Sequence, residues 1–176
     1  MNPQSHKAGF VNIIGKPNVG KSTLMNILVG ERLSIISSKA QTTRHRIVGI
    51  TNTEDYQIVF SDTPGMLKPK YELHKSMMGF VNLSLEDADV ILFVTDLYET
   101  EEEIEEVIQR INNSGIPVLL VINKIDLAKE GQLDEVTAYW TQRVKADVVI
   151  PISAKENFNT EKILQEILEK LPVHPP

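Results

Sequence analysis

The sequence contains no cysteine, and aromatic residues make up only 6% of its 176 residues. Without cysteine there can be no disulfide and no thiolate metal ligand, which fits a reducing compartment. Apolar runs are short, VILFV and VLLVI being the longest, and the opening MNPQSHKAG has no apolar stretch typical of a secretion signal. These features predict a soluble, cytoplasmic protein.

Positive charge is also scarce. The chain has 18 Lys and Arg against 24 Asp and Glu, a formal net charge of −6. Broad contact with a nucleic-acid backbone needs clustered Lys and Arg. The densest basic stretch here is RHR at 44–46, so we expect no extended nucleic-acid-binding surface on this chain.

What the sequence does contain is an alternation of short apolar runs and stretches of helical period. Strands are predicted at 9–15, 47–52, 56–62, 90–96, 117–123 and 148–153, and helices near 21–29, 71–87, 101–113, 134–145 and 160–171. This order is typical of βαβ units. Because only a few polar residues separate the second and third strands, they should form an antiparallel hairpin. We predict a three-layer α/β fold with a mostly parallel six-stranded sheet and one antiparallel edge strand.

The chain is expected to form one domain over residues 1–171, since 41% of its residues are hydrophobic and no long polar linker divides it. The last residues, 172–176, read PVHPP and cannot continue a helix or a central strand. We predict that they begin a linker to a further domain. A frayed terminus is the alternative interpretation.

A glycine-rich loop lies between the first predicted strand and the first predicted helix. It reads GKPNVGKST and matches G-x-x-x-x-G-K-[ST] in the context that this motif requires. Its glycines let backbone N–H groups face phosphate oxygens, Lys21 adds a cation at the β and γ phosphates, and Ser22 offers a hydroxyl to Mg²⁺. The predicted phosphate-binding residues are Gly15, Lys16, Pro17, Asn18, Val19, Gly20, Lys21, Ser22 and Thr23. The loop does not select a base, because ATPases and kinases use it too.

Two further motifs at strand ends predict the base. In NKID at 123–126, Asp126 can accept hydrogen bonds from N1–H and the 2-amino group of guanine, donors that adenine lacks. Asn123 would tie the loop and reach the base edge, and the stem of Lys124 would cover the base face. The SAK motif, formed by Ser153, Ala154 and Lys155, can present the Ala154 N–H to guanine O6. Together with the glycine-rich loop, these motifs predict GTP and GDP as ligands, and Asp126 argues against an ATPase or kinase.

A third stretch, DTPG, is expected to sense the γ-phosphate. It consists of Asp62, Thr63, Pro64 and Gly65. Asp62 would hold the Mg²⁺ shell, and the Gly65 N–H would reach the γ-phosphate, so that loss of this phosphate frees the loop. Thr42 and Thr43 are the candidates for a second metal hydroxyl, of which we select Thr43. Ser22, Thr43 and Asp62 are therefore the predicted Mg²⁺ ligands.

The order of these motifs resembles the small P-loop GTPases, and GKPNVGKSTLMN, SKAQTTRHRIVGI and SDTPGM resemble the Era family of bacterial ribosome-assembly GTPases. The resemblance covers nearly the whole chain. It implies a Ras-like P-loop NTPase fold and, since family members continue into a KH-type RNA-binding domain, an N-terminal GTPase domain. One departure is ENFN at 156–159, where relatives usually carry a glycine. The GTPase domains of the EngA and MnmE families share PNVGKS and DTPG and are the alternative.

The resemblance also implies partners. Family members act on the small ribosomal subunit and its 16S rRNA, in the full-length protein through the KH domain, and membrane association at the inner face of the cell membrane is known for some. GTP-dependent dimerisation is a further option that the sequence leaves open.

The residue after DTPG is Met66, where Ras-like enzymes have the glutamine that orients the attacking water. Several resembling GTPases use K⁺ held partly by the P-loop asparagine, here Asn18. We therefore predict slow hydrolysis in which Mg²⁺ and K⁺ supply charge and backbone groups of the 39–46 loop supply geometry. The predicted catalytic residues are Asn18, Lys21, Thr43, Asp62 and Gly65.

Alternatives remain for these roles. Arg44 or Arg46 could act as an arginine finger, and Asn18 could simply stabilise the turn after Pro17. The favoured function is a GTPase switch in which GTP orders the loops at 39–46 and 62–80. The rival is a GTP-gated binding module with negligible hydrolysis, for which Met66 is the argument.

Overall fold

The computed structural model describes residues 6–15, 19–29, 46–62, 88–98 and 105–173. Its strands are β1 (Lys7–Ile14), β2 (Arg46–Asn52), β3 (Tyr56–Asp62), β4 (Val90–Thr95), β5 (Val118–Ile122) and β6 (Val148–Pro151). The helices of these described ranges are α1 (Lys21–Val29), α2 (Glu105–Asn112), α3 (Gln132–Thr141) and α4 (Thr160–Lys170), with a short 3₁₀-helix at Ile125–Leu127. All six predicted strands are confirmed to within a few residues.

The strands form one six-stranded sheet in the order β2-β3-β1-β4-β5-β6. β2 and β3 are antiparallel, and every other neighbouring pair is parallel, as predicted. The hairpin turn is closed by Thr53, whose Oγ1 accepts the N–H groups of Asp55 and Tyr56, both at 3.1 Å. Because five of the strands run in one direction, their carboxyl ends meet at a single edge.

Two hydrophobic layers enclose the sheet. On one face Val11 and Ile13 of β1 pack with α1 and α4 residues such as Leu24 and Ile163. On the other face the cluster contains Ile14 and Phe93 with α2 and α3 residues, including the fully buried Trp140. The central strands β4 and β5 are buried at every residue, which explains why their sequences read as continuous apolar runs. The three-layer α/β architecture is therefore confirmed.

Helix α3 is the element whose predicted bounds were wrong, since it was expected at 134–145 and spans Gln132–Thr141. It begins early because Gly131, at φ 79°, takes a left-handed conformation that starts the helix. After the helix, Asn112 of α2 donates to the Arg143 carbonyl at 2.7 Å and accepts the Lys145 N–H at 2.8 Å. The second bond engages the Lys145 N–H, which a helix extending to 145 would donate to the carbonyl of Thr141.

Other helix predictions are described in part. The predicted helix at 101–113 is described as α2 from Glu105 to Asn112, and the one near 71–87 lies outside the described residues. No helix within the described ranges combines the length and apolarity needed to cross a bilayer.

The chain after α4 turns back onto β1. Leu171 is extended at φ −73° and ψ 145°, the Ala8 N–H donates to the Pro172 carbonyl at 3.3 Å, and Val173 forms a bridge with Lys7. Pro172 and Val173 therefore contact the start of β1. The domain boundary at 171 and the linker role of 172–176 stay a prediction.

Candidate nucleotide-binding site

Most of the predicted site residues that the structure describes lie at the carboxyl edge of the sheet. Val19 to Thr23 follow β1, Asp62 ends β3, Asn123 to Asp126 follow β5, and Ser153 to Lys155 follow β6. Lys16, Pro17, Asn18, Thr42, Thr43, Thr63, Pro64, Gly65 and Met66 lie outside the described residues, as do Arg44 and most of the predicted switch loops at 39–46 and 62–80. Parallel β-topology thus brings four separate motifs to one edge.

Both motif glycines of the glycine-rich loop are required by close contacts. A Cβ on Gly15 would lie 2.6 Å from the Val94 carbonyl oxygen. Gly20 has φ +84°, and a Cβ there would lie 2.3 Å from Nδ2 of Asn123. Side chains rarely adopt such a φ, and no heavy atom fits at such distances. Gly15 therefore packs against β4 and Gly20 against the NKID loop at distances that only glycine allows.

Lys21 is the first residue of α1 and is only 4% exposed. Its Nζ donates to the Gly15 carbonyl at 2.9 Å, so the ammonium group is directed toward the end of β1 and does not extend into solvent. The next two residues, Ser22 and Thr23, are exposed on the first turn of the helix. This arrangement places a cation and a free hydroxyl at a helix N-terminus, where backbone N–H groups favour anions.

Asn123 joins three of the motifs through its amide group. It is 3% exposed, its Nδ2 donates to the Val19 carbonyl at 2.8 Å, and its Oδ1 accepts the Ala154 N–H at 2.9 Å. The first bond reaches the glycine-rich loop and the second reaches the SAK loop. The amide therefore ties these loops, as predicted from the sequence, while both of its polar atoms face protein partners.

Asp126 is held by the SAK motif. Ser153 donates its hydroxyl to Oδ1 of Asp126 at 2.8 Å and accepts the Glu156 N–H at 3.2 Å. Ser153 is 1% exposed, whereas Asp126 is exposed. The buried serine thus orients a carboxylate that remains accessible.

Asp96 belongs to the site and was missed in the sequence. It directly follows β4, is buried, and lies 3.1 Å from Nζ of Lys124 through its Oδ2. The signal that could have found it is its position, since a carboxylate directly after a buried parallel strand lies at the ligand-binding edge.

These groups surround a cleft of about 430 Å³. It is lined by Gly20, Thr23, Asn123, Lys124, Asp126, Leu127, Ala154 and Lys155. The volume lies within the range of about 300–1,000 Å³ that is usual for small-molecule sites. Residues of the glycine-rich, NKID and SAK motifs thus share one cleft.

The ENFN stretch, where relatives usually carry a glycine, uses asparagine in left-handed conformations. Asn157 has φ 51° and Asn159 has φ 61°. Asparagine tolerates this region because its side chain can hydrogen-bond locally. Asn157 accepts the Thr160 hydroxyl, and Asn159 donates to the Pro151 carbonyl at 2.9 Å. The exit from the SAK loop is therefore formed without glycine.

Asp62 is the predicted Mg²⁺ ligand whose strand the structure describes. It ends β3 and is paired in register with Ile13 of β1, two residues before Gly15. The end of β3 therefore lies beside the start of the glycine-rich loop. Within the described ranges there is no group of three or more His, Asp or Glu side chains suited to a metal.

This chain is similar to a known protein family and to individual GTPases. Residues 10–124 match the family model described as 50S ribosome-binding GTPase. The chloroplastic GTPase ERA1 of Zea mays is 45% identical over 175 residues, which are 97% of this chain and 42% of that protein. This chain therefore spans less than half the length of that relative.

Solved structures give the same result. A crystal structure of Era in complex with MgGDPNP and nucleotides 1506–1542 of 16S ribosomal RNA is 39% identical, with a TM-score of 0.74 over 97% of this chain and 59% of that chain. A tyrosine-to-alanine variant of Era from Aquifex aeolicus, bound to GDP and AlF₄⁻, is 40% identical with the same TM-score of 0.74 and the same coverage. Taken with the motifs gathered at the sheet edge, these matches show that the chain belongs to the GTPase family of that model and, within it, to the Era GTPases.

Proposed function

We propose that this chain binds a guanine nucleotide with Mg²⁺ and hydrolyses GTP to GDP and phosphate. The observation that carries the proposal is the Asn123 amide, which bonds the glycine-rich loop at Val19 and the SAK loop at Ala154. A phosphate-binding loop and a base-binding loop that share one buried side chain form a single nucleotide site.

The base side of the cleft favours guanine. The accessible carboxylate of Asp126, oriented by Ser153, would accept from N1–H and the 2-amino group, which adenine does not offer. Sites built on such hydrogen bonds reject a ligand lacking the donors by a factor of roughly 10⁴ or more. The Ala154 N–H already donates to Asn123, so guanine O6 would be a second acceptor for it.

The phosphate side fits an Mg²⁺-bound triphosphate. Lys21 bonds the Gly15 carbonyl, Ser22 is exposed at the start of α1, and Asp62 ends β3 in register with Ile13 of β1. Hydroxyl and carboxylate oxygens are ligands that Mg²⁺ prefers. Mg²⁺ would neutralise charge that develops between the β and γ phosphates. Thr43 and the Gly65 N–H complete the proposed set.

Hydrolysis is supported by the Aquifex aeolicus relative bound to GDP and AlF₄⁻, because AlF₄⁻ imitates a phosphoryl group during transfer. For this chain we propose slow turnover, since Met66 cannot orient water as a glutamine does. Backbone groups of the 39–46 loop would supply the geometry instead, and K⁺ at Asn18 would supply positive charge. Release of the 62–80 loop after phosphate loss would then make the domain a switch.

The test is turnover of GTP and ATP by this chain with Mg²⁺, followed as phosphate release, alongside Asp62→Ala. We expect GTP to be hydrolysed and ATP to be ignored. Asp62→Ala should lower turnover even at saturating Mg²⁺ and GTP, because the carboxylate would position the Mg²⁺ that neutralises charge on the reacting phosphates and would not act on affinity alone. Equal residual rates for wild type and variant at saturation would favour the rival, a GTP-gated binding module.

We further propose the small ribosomal subunit and its 16S rRNA as partners of the full-length protein. The support is the Era complex with nucleotides 1506–1542 of 16S ribosomal RNA, whereas the family description names the 50S subunit. The specific complex has 39% identity to this chain, so it is the better guide. Because the net charge here is −6, we place RNA affinity outside this chain. RNA binding by this chain alone, at physiological salt, would contradict that placement.

The proposal also concerns the cellular location and the oligomeric state of the protein. We propose a cytoplasmic protein, with peripheral contact to the inner face of the cell membrane and GTP-dependent dimerisation as further properties to examine. Co-sedimentation with anionic vesicles measures the membrane contact. Light scattering of this chain with GDP and with a non-hydrolysable GTP analogue measures dimerisation. A single mass in both nucleotide states would remove the dimer from the proposal.

A further inference from the structure

A buried carboxylate lies behind the base side of the cleft. The Asp96 side chain is 3% exposed, and its Oδ2 lies 3.1 Å from Nζ of Lys124, whose side chain is 30% exposed. Its Oδ1 accepts the Tyr98 N–H at 2.9 Å. A carboxylate buried to this extent is favourable only with such charged and hydrogen-bonded partners. The ion pair therefore links the end of β4 to the NKID loop.

Lys124 also has an unusual backbone. Its φ of 68° and ψ of 27° are left-handed, an unfavourable conformation for a residue with a side chain. Such conformations persist only where the surroundings hold them. The neighbouring residues do so, since the Asn123 N–H donates to the Thr95 carbonyl at 2.8 Å and the Ile125 N–H donates to the Ile152 carbonyl at 3.1 Å. The backbone of the loop is thus fixed by groups at the ends of β4 and β6, and the end of the lysine side chain is held by Asp96.

We infer that Asp96 is a positioning residue for the nucleobase, because it anchors the Lys124 ammonium so that the methylene stem stays along the wall of the cleft. Lys124 lines this cleft together with Asp126 and Ala154, the groups proposed to read the base. Each ordered contact of a long lysine side chain limits its rotamers, and rotamer freedom that remains would be lost at each binding event. Anchoring before binding reduces that entropy cost. The inference rests on the proposed function, since it concerns the same cleft.

The ion pair between Asp96 and Lys124 is expected to slow the release of bound nucleotide. With the ion pair intact, the stem remains against the base and slows dissociation. Asp96→Asn keeps the size of the side chain and an oxygen acceptor for the Tyr98 N–H while removing the charge that holds Lys124. Since the lysine is part exposed, the effect should lie at the low end for a charge-assisted contact, about tenfold in dissociation rate. A residue that only stabilises the fold would not produce this change.

The experiment follows the fluorescence of mant-GDP bound to this chain while unlabelled GDP displaces it. Dissociation rates are measured for the wild type, Asp96→Asn, Lys124→Met and the double variant. Methionine retains a flexible apolar stem without the ammonium, so both single variants should release mant-GDP about tenfold faster. If Asp96 acts through Lys124, the double variant is no faster than Lys124→Met alone. Multiplying effects in the double variant would overturn the inference.

The matched control is Asp89→Asn, at the other end of β4. Asp89 accepts the Phe10 N–H at 2.8 Å and lies away from the cleft, so mant-GDP dissociation should not change. If Asp96→Asn does not fold, Lys124→Met tests the contact from its more exposed end, and an unchanged rate there overturns the inference. Failure of the wild type to bind mant-GDP would instead refute the proposed function, so the two failures are distinguishable.

Discussion

Replacing Asn123 by alanine should damage both the stability of the domain and its affinity for nucleotide. The side chain is 3% exposed and makes two hydrogen bonds, to the Val19 carbonyl at 2.8 Å and from the Ala154 N–H at 2.9 Å. Alanine leaves both backbone partners unsatisfied in a buried place. Each unsatisfied buried group costs about 1–3 kcal/mol, and water entering the gap would recover part of this. We therefore expect a loss of about 3 kcal/mol in the free energy of unfolding.

Urea unfolding of the nucleotide-free chain, followed by circular dichroism, measures this loss. For a domain of this size, about 3 kcal/mol corresponds to a fall of roughly 6–12 °C in Tm. The control is Asn113→Ala, because Asn113 is exposed in the turn after α2 and substitutions at such positions usually stay within about 0.5 kcal/mol. Binding of mant-GDP should fall in Asn123→Ala alone. If Asn123→Ala matched the control in stability and in binding, the conclusion that this amide organises the site would be refuted.

Three other predictions concern single features of the site. Gly20→Ala should destabilise the chain by about 2 kcal/mol or more in urea unfolding, because its Cβ would meet Asn123 at 2.3 Å, whereas Gly115→Ala, with a similar φ of +75° and no atom within 4 Å, should cost only about 1 kcal/mol. Equal losses would show that backbone conformation, not contact, dominates. Asp126→Asn should change the preference from guanine to xanthine nucleotides in a competition assay, and retained guanine preference would reopen the ATPase or kinase interpretation. GTP turnover should be faster in K⁺ than in Na⁺, and Asn18→Ala should abolish the difference; equal rates in the two salts for the wild type would refute the proposed ion.

Local sequence was a good guide to the fold because the strands are short and rich in apolar residues, and β4 and β5 are buried at every residue. The hairpin was predictable from the length of the connection, since the three residues 53–55 leave no room for a crossover between β2 and β3. The end of α3 was not predictable, because the backbone at Arg143 and Lys145 is bonded to Asn112, a residue remote in sequence. Helical periodicity reports the apolar face of a segment and contains no information on such tertiary partners.

In the candidate site, too, some features could be predicted from the sequence and others depend on tertiary contacts. The sequence by itself determined which motifs follow the strands, and it predicted the nucleotide-binding groups from G-x-x-x-x-G-K-[ST], NKID and SAK, because parallel strands bring their ends to one edge. Only the tertiary structure showed that Asn123 bonds two loops at once, that Ser153 orients Asp126, and that Asp96 anchors Lys124. These pairs are far apart in the chain, and their contacts depend on the packing and register of neighbouring strands, which no local pattern encodes.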